Sequence, residues 1–171
     1  MIVLGIDPGP ARIGYGVIHK KGNAYLSVAH GLIQSKASVP MADRLLTLFD
    51  ETTKLIKLFK PHLISIEELF FFKNVTTAIS VAQARGVILL AAKISCTPVF
   101  EPTPLQVKQG ITGYGRADKN QVARMVQMLL NLKTIPKPDD ITDALAIAIT
   151  GANYYRPCSP LSSSVLQKQE V

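Results

Sequence analysis

The segment Ile2-Val3-Leu4-Gly5-Ile6-Asp7-Pro8-Gly9 indicates the type of fold, because in it an apolar strand leads directly to an acidic residue. The apolar, mostly β-branched residues before Asp7 predict a strand, and Pro8-Gly9 predicts a turn directly after it. Asp7 therefore stands at the carboxyl end of a strand. In open α/β sheets, ligands gather outside that end of the strands. This stretch predicts a sheet with a polar site along one edge.

The rest of the chain predicts a mixed α/β layer around this first strand. First we expect strands at 14–19 and 24–34, separated by the turn Lys20-Lys21-Gly22-Asn23, and then an amphipathic helix at 41–59. A buried strand at 63–66, an apolar helix from Val75 (capped by Asn74) to about 95 and a strand at 98–101 follow. The chain then forms a helix that begins at the capping box of Asp118 and Gln121, and a last helix from about 140 to 154. The crossovers require a parallel central portion. The expected fold is a five-stranded mixed sheet with an N-terminal antiparallel meander and helices on both faces.

Composition points to one soluble domain. The chain has 171 residues, of which 47% are hydrophobic, and we expect residues 1–155 to form a single domain. Residues 156–171, rich in Ser, Gln and Pro, are expected to be a disordered tail. The longest apolar run, 87–92, is too short to span a bilayer. Isolated Cys96 and Cys158 suggest a reducing compartment, so a cytoplasmic protein is expected.

The charge is basic, with 19 Lys and Arg against 12 Asp and Glu, or +7. A basic surface suits a polyanionic partner, nucleic acid first and an acidic membrane surface second. Simple solubility explains the same charge equally well, so the charge alone decides little.

Four acids stand where they can converge. Glu67 ends the buried strand at 63–66, as Asp7 ends the first strand, and Asp140 and Asp143 are three residues apart at the start of a helix. The apolar run that follows Asp143 must pack on the sheet, where an uncompensated charge is expensive. Clustered carboxylates favour Mg²⁺ or Mn²⁺. Two such ions roughly 3.5–4 Å apart can activate a water and stabilise the leaving oxygen in phosphodiester cleavage.

Plainer interpretations of these acids stay open. Asp140 can be a helix N-cap only, and Asp-Pro-Gly at 7–9 a turn only. Glu68 and Asp139 compete as neighbours. Each acid is weak support when taken singly, and their convergence carries the prediction.

Two segments predict contacts with DNA. Phe70-Phe71-Phe72-Lys73-Asn74 places aromatic rings beside positive charge, an arrangement on which unpaired bases stack, although some rings can pack in the core instead. The glycine-rich segment 110–116, which ends in Arg116, predicts a flexible loop that closes on the phosphate backbone. Lys108 and Lys119 flank it, and Lys119 can stabilise charge on the phosphate. A solvated loop is the alternative.

The helix expected at 75–95 is apolar nearly all round. One side can face the sheet, and the other requires a second helix or a second subunit. This pattern predicts a homodimer. Arg85, on the same helix, is compatible with a structural contact, a dimer contact or a DNA contact.

Five ordered motifs resemble those of the RuvC Holliday-junction resolvases over about residues 2–150. They are Ile-Asp-Pro-Gly at 6–9 with Gly14-Tyr15-Gly16, Ile66-Glu67, Gln83-Ala84-Arg85-Gly86, Gln106-Val107-Lys108-Gln109, and Asp140-x-x-Asp143-Ala144-Leu145-Ala146. The resemblance implies an RNase H-like fold, a homodimer, and Mg²⁺-dependent nicking of two symmetric strands of a four-way junction in recombination and repair.

The resemblance also implies residue roles. It places the catalytic acids on Asp7, Glu67, Asp140 and Asp143, the four reached above. It makes Phe70 a ring that stacks on opened bases, although Phe71 and Phe72 blur that assignment. It places Lys108 and Lys119 near the scissile phosphate. A branch-migration helicase complex is the implied protein partner.

Two other functions are compatible with parts of this pattern. One is a non-catalytic RNase H-fold protein that binds junctions and only holds metal. The other is a nucleotide binder of the sugar-kinase or actin type, in which Asp-x-Gly at a strand end cradles phosphates. Such proteins clasp the nucleotide between two domains, and 171 residues leave room for one.

Overall fold

The computed structural model describes residues 1–9, 12–34, 38–69 and 75–156, and only the backbone of residues 75–77. In these ranges the strands are β1 Ile2–Pro8, β2 Arg12–Lys21, β3 Ala24–Gln34, β4 Leu63–Ile66 and β5 Val99–Phe100. The helices are α1 Met41–Phe59, α2 Val75–Ile94, α3 Pro104–Thr112, α4 Lys119–Leu129 and α5 Asp139–Tyr154. None of the helices described there is long and apolar enough to cross a membrane.

The described strands form one mixed sheet in the order β3-β2-β1-β4-β5. β1 and β3 both run antiparallel to β2, which confirms the N-terminal meander. β4 runs parallel to β1 and to β5, which confirms the parallel portion. Ile6 lies opposite Ile66 in the β1–β4 register. Asp7 and Glu67, one residue further on, therefore leave the sheet side by side.

Helices cover both faces of the sheet, as the sequence predicts. On one face, Leu4 and Ile64 belong to an apolar core with buried residues of α1 and α2. On the other face, Val3 and Leu63 belong to a second core with α3, α4 and α5. The alternation along each strand produces this division, because successive side chains point to opposite faces.

α5 lies unusually close to the sheet because glycines line its path. A Cβ atom at Gly5 of β1 would lie 2.2 Å from the carbonyl oxygen of Ala144, and one at Gly16 of β2 would lie 2.7 Å from a Leu145 methyl carbon. Leu145 and Ile149 are fully buried. Small residues on the strands therefore let an apolar helix pack with its backbone almost against the sheet.

The loop predicted at 110–116 is wrong for residues 110–112 and right for residues 113–116. Residues 110–112 are the last turn of α3, and only 113–118 form the connection to α4. The prediction has no helix between the strand at 98–101 and Asp118, because the glycine-rich composition of 110–116 favours a loop. Pro104 occupies the first helical position, where proline is favoured, and Thr103 and Gln106 form a capping box. The capping box of Asp118 and Gln121 at α4 is confirmed.

Several predictions fall on residues outside the described ranges. They are the cap at Asn74, the roles of Phe70 and Lys73, and the disordered tail beyond Arg156. The assignment of residues 1–155 to a single domain likewise remains a prediction.

Candidate active site

Asp7 and Glu67 share the face of the sheet that α5 covers. In β1, Val3 packs in the α5 core and Gly5 touches α5, so Asp7, two residues on, points the same way. In β4, Ser65 lies under Gly151 of α5, so Glu67 follows the same alternation. Both carboxylates therefore project towards the first turns of α5.

α5 brings the other two acids to this edge. It begins at Asp139, with Pro138 as its N-cap, so Asp140 lies inside the first turn and the N-cap interpretation of Asp140 is wrong. Gly14 pairs with Asp7 in the β1–β2 ladder. A Cβ atom at Gly14 would lie 1.8 Å from the carbonyl oxygen of Asp140. The start of α5 thus rests on the strand residue next to Asp7.

Asp7, Glu67 and Asp143 line one cleft of about 310 Å³, together with Lys108 and Lys119. Asp140 instead lines the neighbouring depression, which it shares with Arg12, Lys137 and Asp139. Lys119 borders both hollows, so they lie next to each other. The structure therefore brings three predicted acids into one cleft and places the fourth at its margin.

The negative charge in this cleft is poorly compensated. The pKa of Asp7 is raised from 3.8 to about 7, first by burial and then, in decreasing order, by the charges of Asp143, Glu67 and Asp140. Burial, followed by the charge of Asp143, raises the pKa of Glu67 from 4.5 to about 7. Each carboxylate thus makes ionisation of its neighbours harder, which is the electrostatic signature of a site built for positive charge.

Lys119 supplies positive charge at the edge of the cleft. Its ammonium donates to a carboxylate oxygen of Asp143 at 2.9 Å and lies 3.7 Å from Asp139. The hydrogen bond to Asp143 raises the pKa of Lys119, so the ammonium stays charged at neutral pH. Burial still raises the pKa of Asp143 above its ordinary value, although Lys119 opposes the shift. One lysine therefore does not neutralise the cluster.

The donor set fits hard divalent cations, because it consists of carboxylate oxygens without sulfur or imidazole. Among the described residues, however, no three His, Cys, Asp or Glu side chains are arranged as ligands of a single ion. The acids share one region and repel one another, but their oxygens do not converge on one point. The ammonium of Lys119 lies beside Asp143 in this arrangement.

The neighbouring acids that competed with these four lie outside the cleft. Glu68 is exposed, and its backbone N–H donates to the Pro102 carbonyl at 2.9 Å. Asp139 pairs with Lys137 at 2.8 Å, and this contact holds the pKa of Asp139 below its ordinary value.

The basic residues predicted to contact DNA divide into two groups. Lys108 of α3 and Lys119 of α4 line the acidic cleft, and Arg116 is exposed in the 113–118 connection. Phe70 and Lys73 lie outside the described residues. Sequence reasoning missed Arg12, whose guanidinium lies 3.6 Å from the Asp140 carboxylate. One signal in the sequence was available, because Arg12 follows closely on Asp-Pro-Gly at 7–9. Arg12 begins β2, which pairs antiparallel with β1 and therefore starts beside the end of β1.

Comparison with known proteins gives consistent matches. The family model for crossover junction endodeoxyribonuclease RuvC matches residues 3–151. A protein of that name from Desulfitobacterium hafniense (strain DSM 10664 / DCB-2) is 57% identical over 153 residues, which cover 90% of this chain and 93% of the relative. One from Brevibacillus brevis is 51% identical over 154 residues, with coverages of 90% and 93%.

A solved structure agrees with these sequence matches. Thermus thermophilus RuvC in complex with Holliday junction substrate superposes with a TM-score of 0.86 and 35% identity, over 90% of this chain and 94% of that one. The five-stranded mixed sheet with helices on both faces is therefore the RNase H-like fold, as expected. With the family model matching nearly the whole described chain, this protein belongs to the RuvC family of crossover junction endodeoxyribonucleases.

Proposed function

We propose that this chain is a structure-selective endonuclease that resolves four-way DNA junctions in recombination and repair by hydrolysing phosphodiester bonds in two symmetric strands. Membership of the RuvC family supports this assignment. The observation that carries it is the cleft in which Asp7, Glu67 and Asp143 meet at the carboxyl ends of two parallel strands. Crowded carboxylates beside lysines are suited to metal-dependent chemistry on a phosphate.

The proposed metal ligands are Asp7, Glu67, Asp140 and Asp143, holding two Mg²⁺ ions per site, with Mn²⁺ as the alternative. Such ions, when bound, lower the pKa of a water and stabilise charge on the leaving oxygen. The raised pKa values of Asp7 and Glu67, caused first by burial and then by the neighbouring acids, support the assignment, because cations bound nearby would favour the ionised carboxylates. Asp140 lines the depression next to the cleft that holds the other three acids.

Lys119 and Lys108 are proposed to bind and orient the scissile phosphate. Both line the cleft that contains the acids, and the Lys119 side chain is 60% exposed, so a backbone phosphate can reach it. Arg116, in the short connection between α3 and α4, is proposed to contact a neighbouring phosphate. Phe70 as a base-stacking ring and Lys73 as a phosphate contact complete the proposal, on the strength of sequence alone.

A homodimer is the proposed assembly. α2 leaves an apolar strip uncovered in the described chain, in which Ile79, Leu90 and Ile94 are 56%, 54% and 61% exposed. Gly86 lies between them on the same side, and a Cβ atom there would meet nothing within 4 Å. A two-fold symmetric junction suits a two-fold protein, and packing two α2 helices against each other would cover this strip.

A branch-migration helicase complex is the proposed protein partner, and the cytoplasm is the proposed location. The family assignment supports the first, since junctions must be formed and moved before they are cut. The isolated cysteines support the second, because Cys96 is a free thiol.

One experiment distinguishes a nuclease from a non-catalytic protein that only binds junctions. Asp7→Asn and Glu67→Gln each remove a negative charge with little change of shape. A nuclease predicts that both variants lose cutting by at least about 10²-fold while keeping junction affinity, measured by gel shift with Ca²⁺ in place of Mg²⁺. Cutting at the wild-type rate by either variant would contradict the proposed roles.

A further inference from the structure

The side chain of Arg85 joins three elements behind the acidic cleft. It projects from α2 and is only 17% exposed. Its Nε donates to the backbone carbonyl oxygen of Glu67 at 3.4 Å, a long hydrogen bond. Its Nη2 forms an ion pair with the carboxylate of Glu101 at the end of β5. One guanidinium thus connects α2, the end of β4 and the end of β5.

This contact falls where regular strand pairing stops. The β1–β4 register ends at Ile66, and the β4–β5 register ends at Ser65. The backbone beyond that point is held by the Glu68 N–H, which donates to the Pro102 carbonyl at 2.9 Å, and by Arg85 on the Glu67 carbonyl. Glu67 therefore has a hydrogen-bond anchor on its own carbonyl and a second on the next residue.

We propose that Arg85, held by Glu101, is a positioning residue that fixes the backbone of Glu67 and so sets where its carboxylate enters the cleft. The contact is to the carbonyl and not to the carboxylate, so Arg85 acts on geometry. The inference rests on the proposed role of Glu67. A displacement of about 1 Å in a catalytic group can lower a rate by about 10²-fold, so loss of one anchor has a measurable effect.

The chemistry of arginine suits this role. Its planar guanidinium presents several N–H groups in a fixed fork, so it can address a carbonyl and a carboxylate at once. A largely buried guanidinium without a partner is expensive, and Glu101 supplies the charge that keeps it in place. Glu101 is itself 43% exposed, so it can be changed without opening the core.

The test compares Arg85→Gln, Arg85→Lys and Glu101→Gln with Lys54→Gln. Lys54 forms a 2.7 Å ion pair with Glu51 on the exposed side of α1, so its variant removes a matched ion pair away from the cleft. For each protein, kcat and KM for a four-way junction are measured with Mg²⁺. Junction affinity is measured with Ca²⁺, Mn²⁺ binding without DNA by calorimetry, and the melting temperature by thermal unfolding.

Positioning predicts that Arg85→Gln lowers kcat by about 10–100-fold with KM changed less than about 3-fold, and weakens Mn²⁺ binding. Arg85→Lys should recover part of kcat, and Glu101→Gln should show a smaller loss of the same kind. Lys54→Gln should match the wild type. If Arg85→Gln does not fold, Glu101→Gln and Arg85→Lys carry the same comparison.

Two results would overturn the inference. One is wild-type kcat and Mn²⁺ binding in Arg85→Gln. The other is a parallel loss of kcat, junction affinity and melting temperature in all three variants, which describes a structural contact alone. Glu67→Gln separates this failure from that of the proposed function. If Glu67→Gln still cuts, the site assignment fails; if it is inactive while Arg85→Gln is normal, only the positioning role fails.

Discussion

Gly14 of β2 and Asp140 of α5 approach so closely that a Cβ atom at position 14 would lie 1.8 Å from the Asp140 carbonyl oxygen. Gly14 is also the ladder partner of Asp7. The missing side chain at position 14 therefore lets α5 bring its acids to the end of β1. The separation between the strand acids and the helix acids is set by a glycine that itself takes no part in the chemistry.

Gly14→Ala should therefore damage both stability and activity. The added methyl group meets backbone, which cannot turn aside, so α5 must shift at the cost of about 1–3 kcal/mol of the free energy of unfolding. The shift should displace Asp140 and Asp143 from Asp7 and lower cleavage by at least about 10-fold. Denaturant unfolding and a junction-cleavage assay measure the two effects.

Gly31→Ala is the matched control for this substitution. Its Cβ atom would meet only the ring end of Tyr15, 2.9–3.0 Å away, and that side chain can move. A smaller loss of stability and near-normal cleavage are expected. Equal behaviour of the two alanine variants would show that the approach of α5 does not depend on Gly14.

Asp7→Asn should stabilise the metal-free protein above neutral pH. The folded protein raises the pKa of Asp7 from 3.8 to about 7, so it holds the proton more tightly than the unfolded chain does. The free energy of unfolding therefore falls as pH rises from about 4 through 7, and the penalty is complete above that range. Asparagine removes the penalty, with an expected gain of about 1–3 kcal/mol at pH 8, since one pKa unit corresponds to about 1.4 kcal/mol and neighbouring acids share the shift.

Thermal unfolding in EDTA at pH 5 and pH 8 measures this effect. Asp50→Asn, on the exposed side of α1, removes the same charge elsewhere and should leave the pH dependence unchanged. Destabilisation by Asp7→Asn at pH 8 would mean that the cleft compensates its negative charge without metal.

Lys119→Met should shift the pH dependence of cleavage. The charge of Lys119 lowers the pKa of both Asp143 and Asp7, so its removal raises both values. The acid limb of the Mg²⁺-dependent rate should move to higher pH, because the carboxylates must be ionised to hold cations, and the maximal rate should fall by about 10-fold or more. Lys137→Met, which removes the closer of the two lysine partners of Asp139, should move this acid limb less. If the acid limb of the pH–rate profile of Lys119→Met lies at the same pH as in the wild type, Lys119 does not act on these acids.

Leu90→Arg should convert the proposed dimer to a monomer. Leu90 is 54% exposed in the middle of the apolar strip on α2, and a charge buried there without a partner would disfavour association. Sedimentation at micromolar concentration measures the change. Leu58→Arg, on α1 at a residue that is 73% exposed, is the control and should leave the assembly intact. A wild-type protein that sediments only as a monomer would contradict the dimer itself.

The sequence predicted the strand ends of the site well and its helical side less well. Asp7 and Glu67 could be placed together because parallel strands and their alternation fix where each acid points. The prediction lacks α3 because the glycines of 110–116 favour a loop. The capping box of Thr103 and Gln106 is the signal in the sequence that marks the start of this helix. The contacts of Arg12 and Arg85 depend on tertiary packing and have no periodic pattern. The orientation of the carboxylates, which do not converge on one ion here, follows from side-chain contacts such as that of Lys119.

Whether this protein resolves junctions is tested by incubating the wild-type protein with a four-way junction and Mg²⁺ and mapping the cut positions on all four strands. Linear duplex of the same sequence is the control. We expect paired nicks at symmetric positions in two opposing strands, no cutting of the duplex, and no cutting in EDTA. Binding without nicks at any Mg²⁺ or Mn²⁺ concentration, or equal cutting of junction and duplex, would contradict this expectation.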